Sequence, residues 1–353
     1  MKIQKLAQWV REHISLNKSR AKCLMMMMKG MITLRTVNLS RLIPSFDASV
    51  KGASHERRMS RFLKEIQINP LEILRMIAVF LRLKKINKVG LIVDRTNWKR
   101  GEKYLNFLFI ALKTKNWTIP VWVLPICEQK QGNHRLTQIE SALDAILQII
   151  PAEKIDYFLG DAEFGYLSRI ELFQERGIPY IVRLKEKWNL ASQGEDSSSI
   201  HQWFEGLPVG KSQTLVLTLG QTSGVSTAVT AKRLENGDLI IAAHSPEIRN
   251  PLHIYRSRWS IETLFRFLKT SQFNIESTGI TDPFKLRNLM HILILCFLFI
   301  LHQAQYLSSK FPIPIIIKPH GYPDKSFWRS LFDRIHYLIF HPLPPSHPAI
   351  YAP

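Results

Sequence analysis

Apolar positions follow two periods along this chain, and the changes of period mark its parts. Helical spacing in Leu34–Leu42 and Phe62–Ile73 predicts an N-terminal helical region. From Lys88 the texture turns to short runs of branched residues. Val89–Val93, Leu105–Leu112 and Ile119–Ile126, the last crossing Pro120 and Pro125, predict three successive strands. A helix over Thr137–Ile150, a strand at Tyr157–Leu159, a helix over Leu167–Arg176 and a strand at Tyr180–Leu184 follow. The order βββαβαβ describes an α/β sheet with mixed strand directions.

Between Glu186 and Asn250 a polar stretch, Ser192–Ser199, precedes the runs Thr214–Leu219, Val225–Thr230 and Leu239–Ala243, with Asn236-Gly237 as a turn before the last. This predicts an antiparallel, β-rich insertion. Helical periodicity returns over Ile254–Thr270 and Leu286–Tyr306, after which Pro312, Pro314, Pro319 and Pro323 interrupt the chain. Ser326–Phe340 has the spacing of one more amphipathic helix, and Pro342–Pro353 reads as irregular. The expected parts are a basic helical region at 1–82, a core in two pieces at 83–186 and 251–310, the insertion at 187–250, and a Pro-rich basic tail at 311–353.

Composition adds a partner. Of 353 residues, 46% are hydrophobic and 22% charged, which is globular usage and excludes disorder as the main state. Lys and Arg number 48 against 28 Asp and Glu, a formal charge of +20. Self-repulsion on that scale calls for a polyanion, nucleic acid before an acidic membrane surface. The first 80 residues hold roughly fifteen Lys and Arg against about five acids, which suits either a solvated helical face or a DNA-contacting region. Cys23, Cys127 and Cys296 are too scattered for a disulfide framework or a zinc site, so a reducing, cytoplasmic setting is expected. Arg11, Glu12 and Lys18 interrupt the apolar N-terminus, which therefore lacks a secretory core. Ile292–Leu301, bracketed by His291 and His302, falls short of the roughly 18 residues of a spanning helix and predicts a buried helix without a membrane partner.

Chemistry gathers at three acids. Asp94 follows Val89–Val93, and Asp161 follows Tyr157-Phe158-Leu159-Gly160, so both are expected at the carboxyl ends of buried strands, where α/β sheets bind ligands. Asp in such a place also serves as a simple turn or helix cap. On an unbroken helix at about 100° per residue, Tyr255, Arg258, Glu262 and Lys269 share one stripe bordering the apolar face of Ile261, Leu264, Phe265 and Leu268. Ordinary helix pairing would explain Arg258 with Glu262 equally well. One mechanism uses all of them. Three converging carboxylates can hold two divalent cations about 3.5 to 4 Å apart for phosphodiester cleavage. Mg²⁺, with Mn²⁺ as a substitute, suits such oxygen donors, and the cationic and hydroxyl neighbours would hold flanking phosphates.

At these residues the chain resembles the DDE transposases of bacterial insertion sequences, in the group marked by a Y-x2-R-x3-E-x6-K signature. Tyr255, Arg258, Glu262 and Lys269 match that spacing. Asp94-Arg95-Thr96-Asn97-Trp98-Lys99 is similar to the family's first-aspartate segment, and Gly160-Asp161-Ala162-Glu163-Phe164-Gly165 to its second. Weaker similarity extends to Val37–Ser40 and Arg57–Leu63 upstream and Leu286–Leu295 downstream.

The resemblance implies a ribonuclease-H-like core split by a β-rich insertion. It further implies Asp94, Asp161 and Glu262 as catalytic metal ligands for two Mg²⁺, and Tyr255, Arg258 and Lys269 as DNA-phosphate contacts. Inverted element ends and target DNA would be the substrates, a homodimer would pair two ends, and the setting would be a bacterial nucleoid. Asp161 rather than Glu163 takes the ligand position, being the first polar residue after the apolar run. Where the family often has Arg after the second aspartate, this chain has Ala162, a departure that bears on local support with the ligand itself intact.

Two other functional classes share much of this pattern. A silent DNA-binding remnant would lack a carboxylate, and none is missing; a metal-dependent nuclease would cleave without strand transfer. Trp188 and Trp203 in the insertion read as core residues before base-stacking ones. His134, His201 and His244 have no ligand spacing with cysteine, and Gly132-Asn133 is a turn and not a phosphate loop.

Overall fold

The computed structural model describes residues 3–115, 117–126, 136–185, 189–190, 198–219, 225–308, 316–319, 324 and 327–340. Cys127, Gly132-Asn133, His134, Trp188, most of Ser192–Ser199, Pro312, Pro314, Pro323 and Pro342–Pro353 lie outside them.

Strands β1 (Val89–Arg100), β2 (Lys103–Lys113), β3 (Thr118–Ile126), β4 (Ile155–Gly160) and β5 (Tyr180–Leu184) form one half of an eight-stranded sheet in the order β3-β2-β1-β4-β5. Only β2 runs against its neighbours, since β1 pairs parallel with β4 and β4 parallel with β5. This mixed α/β order is the ribonuclease-H-like arrangement that the resemblance implied. Helices α6 (Leu136–Leu147) and α7 (Leu167–Glu175) connect the parallel strands, as crossovers must.

β1 runs further than its apolar pattern predicted. Beyond Ile92 it leaves β4 but stays paired with β2 down to Arg100↔Lys103, so Asp94 lies inside a long hairpin arm opposite Phe109. The expectation of a strand ending at Val93 is thereby corrected. Polar residues such as Thr96 and Asn97 are tolerated because cross-strand hydrogen bonds hold the arm after one sheet neighbour is gone. Gly101, at φ +58°, takes the first of the two turn positions, where the twist of a tight hairpin demands a positive φ.

The insertion continues the same sheet. Strands β6 (Asn189–Leu190) and β7 (Ser198–Ser199) pair as a short ribbon, and α8 (Ile200–Trp203) follows. Then β8 (Ser212–Leu219), β9 (Val225–Arg233) and β10 (Leu239–His244) add antiparallel strands in the order β5-β10-β9-β8. Buried Tyr180 fastens the join: its hydroxyl donates to Thr227 Oγ1 at 2.8 Å, and its amide donates to Ser245 Oγ at 3.0 Å. His244 is buried and bonded to Thr230 Oγ1 at 2.8 Å, and Trp203 packs against the core.

The N-terminal region is α1 (Ile3–His13), α2 (Lys18–Leu34), α3 (Leu39–Leu42), α4 (Gly52–Glu65) and α5 (Pro70–Phe80). Neither predicted helical run survives whole. Arg35 in the left-handed region (φ 53°) ends α2, and Asn38 caps α3. Asn69 followed by Pro70 opens α5, an N-cap and first-turn proline that outweigh the apolar spacing across Phe62–Ile73. These helices wrap α11 (Pro283–Ser308). Buried Met25, Met27, Met28 and Met31 fill α2's inner side, Trp9 meets Phe299 edge-on at 5.6 Å, and Asn288 Nδ2 donates to the Leu63 carbonyl at 2.9 Å.

The stretch Pro283–Gln303 is long and apolar enough to cross a membrane by length and composition, yet 83% of its most apolar window is buried inside the protein. Helix α12 (Phe327–Phe340), close to the predicted Ser326–Phe340, docks through Phe332, whose ring meets Phe267 and Phe273 edge-on at 5.7 and 5.6 Å. Such aromatic pairs add about 0.5 to 1.5 kcal/mol each beyond area burial.

Candidate active site

The sheet register brings the two aspartates together. Ile92 pairs with Leu159 across the parallel β1–β4 ladder. Asp94 and Asp161 each lie two residues further on, and a step of two returns a side chain to the same face. Gly160 makes the approach feasible: a Cβ there would lie 2.7 Å from Phe164 Cβ and 3.3 Å from Val93 Cγ1, because the chain turns sharply after β4 and folds Phe164 underneath. Asp161 caps that turn, its Oδ1 accepting from the Ala162 amide at 2.6 Å, and Asp94 Oδ1 accepts from the Arg95 amide at 2.7 Å. Each aspartate is thus partly the cap that its position suggested and still presents a second oxygen.

The third acid arrives on a broken helix. In place of one helix over Ile254–Thr270 the chain forms α9 (Pro251–Tyr255), a 3-10 turn (Arg256–Trp259), α10 (Ser260–Arg266) and a π-helical turn (Phe267–Ser271). Uniform 100° steps therefore do not hold, and the single stripe predicted for Tyr255, Arg258, Glu262 and Lys269 is corrected. Phe109, directly opposite Asp94 in the β1–β2 ladder, meets Phe265 of α10 at 5.4 Å, which sets α10 on the face that carries Asp94. A hydrogen bond of 2.8 Å from Thr118 Oγ1 to Ser260 Oγ pins the helix start to β3.

Arg258 joins two of the acids. Its Nη1 donates to Asp94 Oδ2 at 2.7 Å and its Nη2 to Glu262 Oε1 at 2.8 Å. The side chains of Arg258 and Asp94 are only 14% and 15% exposed, against 32% for Glu262, so the site is sheltered at the sheet and open at the helix. The Tyr255 ring lies under the same guanidinium, 5.9 Å from its centre. Lys269 goes elsewhere: it donates to the Asn97 carbonyl at 2.7 Å and pairs with Glu276 at 3.5 Å, strapping the π turn to the β1 arm.

Burial pushes the Asp94 carboxyl up to about 6, with Asp161 and Glu163 adding to the rise and Arg258 and the Arg95 amide opposing it. Burial likewise pushes the Tyr255 hydroxyl up to about 12, where it stays a proton donor at neutral pH. For Arg258, burial works toward losing the proton, but Tyr255, Asp94, Asp161 and Glu262 outweigh it and the charge is held more firmly than usual.

Sequence reasoning missed one network. Glu163, set aside as a ligand, pairs with Arg95, the residue after Asp94, and its carbonyl accepts from buried Arg169. The turn that bears Asp161 is thereby tied to the strand that bears Asp94. Opposite charges one residue past the first aspartate and two past the second were the available signal.

Hard oxygen donors on three elements suit a divalent cation in kind. As the side chains stand, however, no group of three or more His, Cys, Asp or Glu among the described residues is gathered closely enough to hold one. The guanidinium of Arg258 lies between Asp94 and Glu262 instead, supplying the positive charge those acids require.

Asp94 within the long strand β1, Asp161 just past the end of the parallel neighbour β4 and Glu262 on a facing helix place three acids on one side of a mixed α/β sheet. Residues 86–299 match the family described as transposase DDE domain, and the chain belongs to that family. No curated protein matches it. Among solved structures, a piggyBac transposase synaptic complex with hairpin DNA is similar at 10% identity and a TM-score of 0.48, over 96% of this chain and 77% of that one. Endonuclease V of Ciona intestinalis, in complex with an inosine-containing DNA, is similar at 14% identity and a TM-score of 0.27, over 60% of this chain and 87% of that one. Endonuclease V of Bacillus subtilis shows 11% identity and a TM-score of 0.28, over 67% and 94%.

Proposed function

We propose that the chain is a bacterial insertion-sequence transposase of the Y-x2-R-x3-E-x6-K group, acting on the inverted ends of its own element. The observation that carries this reading is the meeting of Asp94 and Glu262 on one guanidinium, with Asp161 close enough to push up the pKa of Asp94. Asp94, Asp161 and Glu262 would hold two Mg²⁺ ions once Arg258 releases at least one carboxylate. Bound there, the ions supply Lewis-acid activation of the attacking oxygen and charge stabilisation at the leaving one.

The other roles fall to the chain's own groups. Arg258, freed from the acids, offers a planar fork to a phosphate beside the scissile bond. Tyr255 keeps its proton and donates it as a hydrogen bond, and Lys269 reaches a flanking phosphate from the β1 arm. In hydrolysis, a water oxygen bonds to phosphorus as the bond to the element's 3′ oxygen breaks, leaving a 3′ hydroxyl. That hydroxyl then attacks a target phosphodiester and displaces one target 3′ oxygen, conserving the number of ester bonds. The basic helices of 1–82 contribute end binding, two copies pair two ends, and the work takes place on the bacterial nucleoid in the cytoplasm.

The test is Mg²⁺-dependent cleavage and joining of DNA carrying the element's ends. Glu262→Ala should abolish both, and unchanged cleavage by that variant would reject the assignment. Cleavage with no joined product would leave a nuclease.

A further inference from the structure

A cavity of about 470 Å³ opens between α2 and α4, lined by none of the acidic-site residues, and its walls are strongly cationic. Arg20 comes from α2, and Arg57, Arg58 and Arg61 come from α4. Glu65 is the one carboxylate in the lining, and none of the four arginines forms an ion pair among the described residues. A solvated helical face would spread its charges outward from one helix. Here two helices aim theirs into one opening.

Arg58 is half-buried and held in place, its Nη2 donating to the Ser19 carbonyl at 2.9 Å and, more weakly, to Ser19 Oγ at 3.4 Å. The same guanidinium also bonds the Cys23 thiol, which fixes it further, and the guanidinium donors of exposed Arg20, Arg57 and Arg61 face the opening for a ligand. Guanidinium forks match phosphate oxygens in pairs. The only aromatic ring in the lining, Phe62, is buried in the helix packing and presents no face on which a base could stack. The lining therefore recognises phosphates without reading bases.

We infer that this arginine cleft is a binding site for the phosphodiester backbone of duplex DNA, holding the duplex in register while the acidic site acts. The inference rests on the transposase reading and deepens it by assigning residues to the duplex contact. A free nucleotide or inorganic phosphate shares the same chemistry, and the experiment separates these sources.

Binding of the full-length protein to a labelled 30-base-pair duplex of arbitrary sequence, without divalent cation, would be followed by fluorescence anisotropy across a salt series. The double variant Arg57→Gln/Arg61→Gln, exposed at both positions, should flatten the slope of log K against log salt by about 2, at about 0.9 per lost phosphate contact. Affinity near physiological salt should fall on the order of tenfold or more. Arg57→Lys/Arg61→Lys should keep the slope, and thermal unfolding should show every variant folded.

A slope and affinity equal to wild type would overturn the inference. So would an equal loss in Lys115→Gln/Lys211→Gln, which removes two exposed cations elsewhere and would reveal a general effect of net charge. A third contrary result is loss of inorganic phosphate or ATP binding with duplex binding unchanged, which would mark a small-anion site. If the cleft variants bind normally while Glu262→Ala still abolishes Mg²⁺-dependent cleavage, the cleft assignment falls and the transposase reading stands. If wild type binds no duplex, both fall.

Discussion

Asp94→Asn should make the cation-free protein more stable at neutral pH while removing its activity. In the folded chain burial moves the Asp94 carboxyl from 3.8 to about 6, and ionising it at neutral pH therefore costs about 3 kcal/mol of folding stability. The sign follows from which state holds the proton. Below pH about 4 both folded and unfolded chains are protonated there, and nothing is lost. Between about 4 and 6 the unfolded chain ionises while the folded one keeps its proton, so stability falls as pH rises; above about 6 the loss is complete.

Asn imitates the protonated form at every pH. Its single carbonyl oxygen can serve the Arg95 amide or Arg258 but not both, a loss of about 1 kcal/mol, which leaves a net gain of about 2 kcal/mol at neutral pH. Because only the wild type titrates, the difference between the two proteins should change by about 3 kcal/mol across the window, or about 4 °C in midpoint for a chain of this length. Thermal unfolding of both proteins in chelator, from about pH 4 to about pH 8, measures it. A difference that stays flat over that range would refute the reasoning, and Mg²⁺ should narrow it at the upper end by stabilising the wild type more than the variant.

Three other outcomes follow from the geometry. Gly160→Ala should cost about 1 to 3 kcal/mol and depress cleavage together with stability, because the new methyl meets Phe164 Cβ at 2.7 Å and the strain falls on the Asp161 turn; normal cleavage would show that the turn tolerates displacement. Arg258→Gln should destabilise the cation-free protein, raise the Asp94 carboxyl further since a lowering influence is gone, and be restored by Mg²⁺ more than wild type is; equal Mg²⁺ responses in thermal unfolding would contradict this. Lys269→Met should lose at most about 1 kcal/mol of stability, as a partly exposed strap, and lower the salt slope of DNA binding by about 1; an unchanged slope would leave Lys269 as a strap alone.

Where the local signal was strong, the chain's pattern could be read directly. Tyr180–Leu184 is the strand that its apolar run marked out, buried on both faces after Gly177 and Pro179, and Thr137–Ile150 lies within a few residues of α6, which ends before Pro151. Misreadings arose where tertiary partners override the period. β1 extends past Asp94 because β2 supplies its hydrogen bonds, which no pattern within β1 records. The Glu262 helix breaks into 3-10 and π turns, so that Lys269 reaches the β1 main chain while Arg258 turns to the acids. The tie from Arg95 to Glu163 depends on the turn after β4 meeting strand β1, and spacing within either segment is silent about it. Motif spacing named six candidate residues, whereas the bridging of Asp94 and Glu262 by Arg258 and the strapping of the π turn to β1 by Lys269 required the fold.

The account turns on Asp94, Asp161 and Glu262 forming one cation-holding centre. Titrating the full-length protein with Mn²⁺ and counting bound ions by electron paramagnetic resonance tests this without recourse to activity. Wild type should take up about two ions per chain, and Asp94→Asn, Asp161→Asn and Glu262→Gln should each lose at least one while remaining folded. Wild-type uptake and affinity in any one of the three variants would contradict the account.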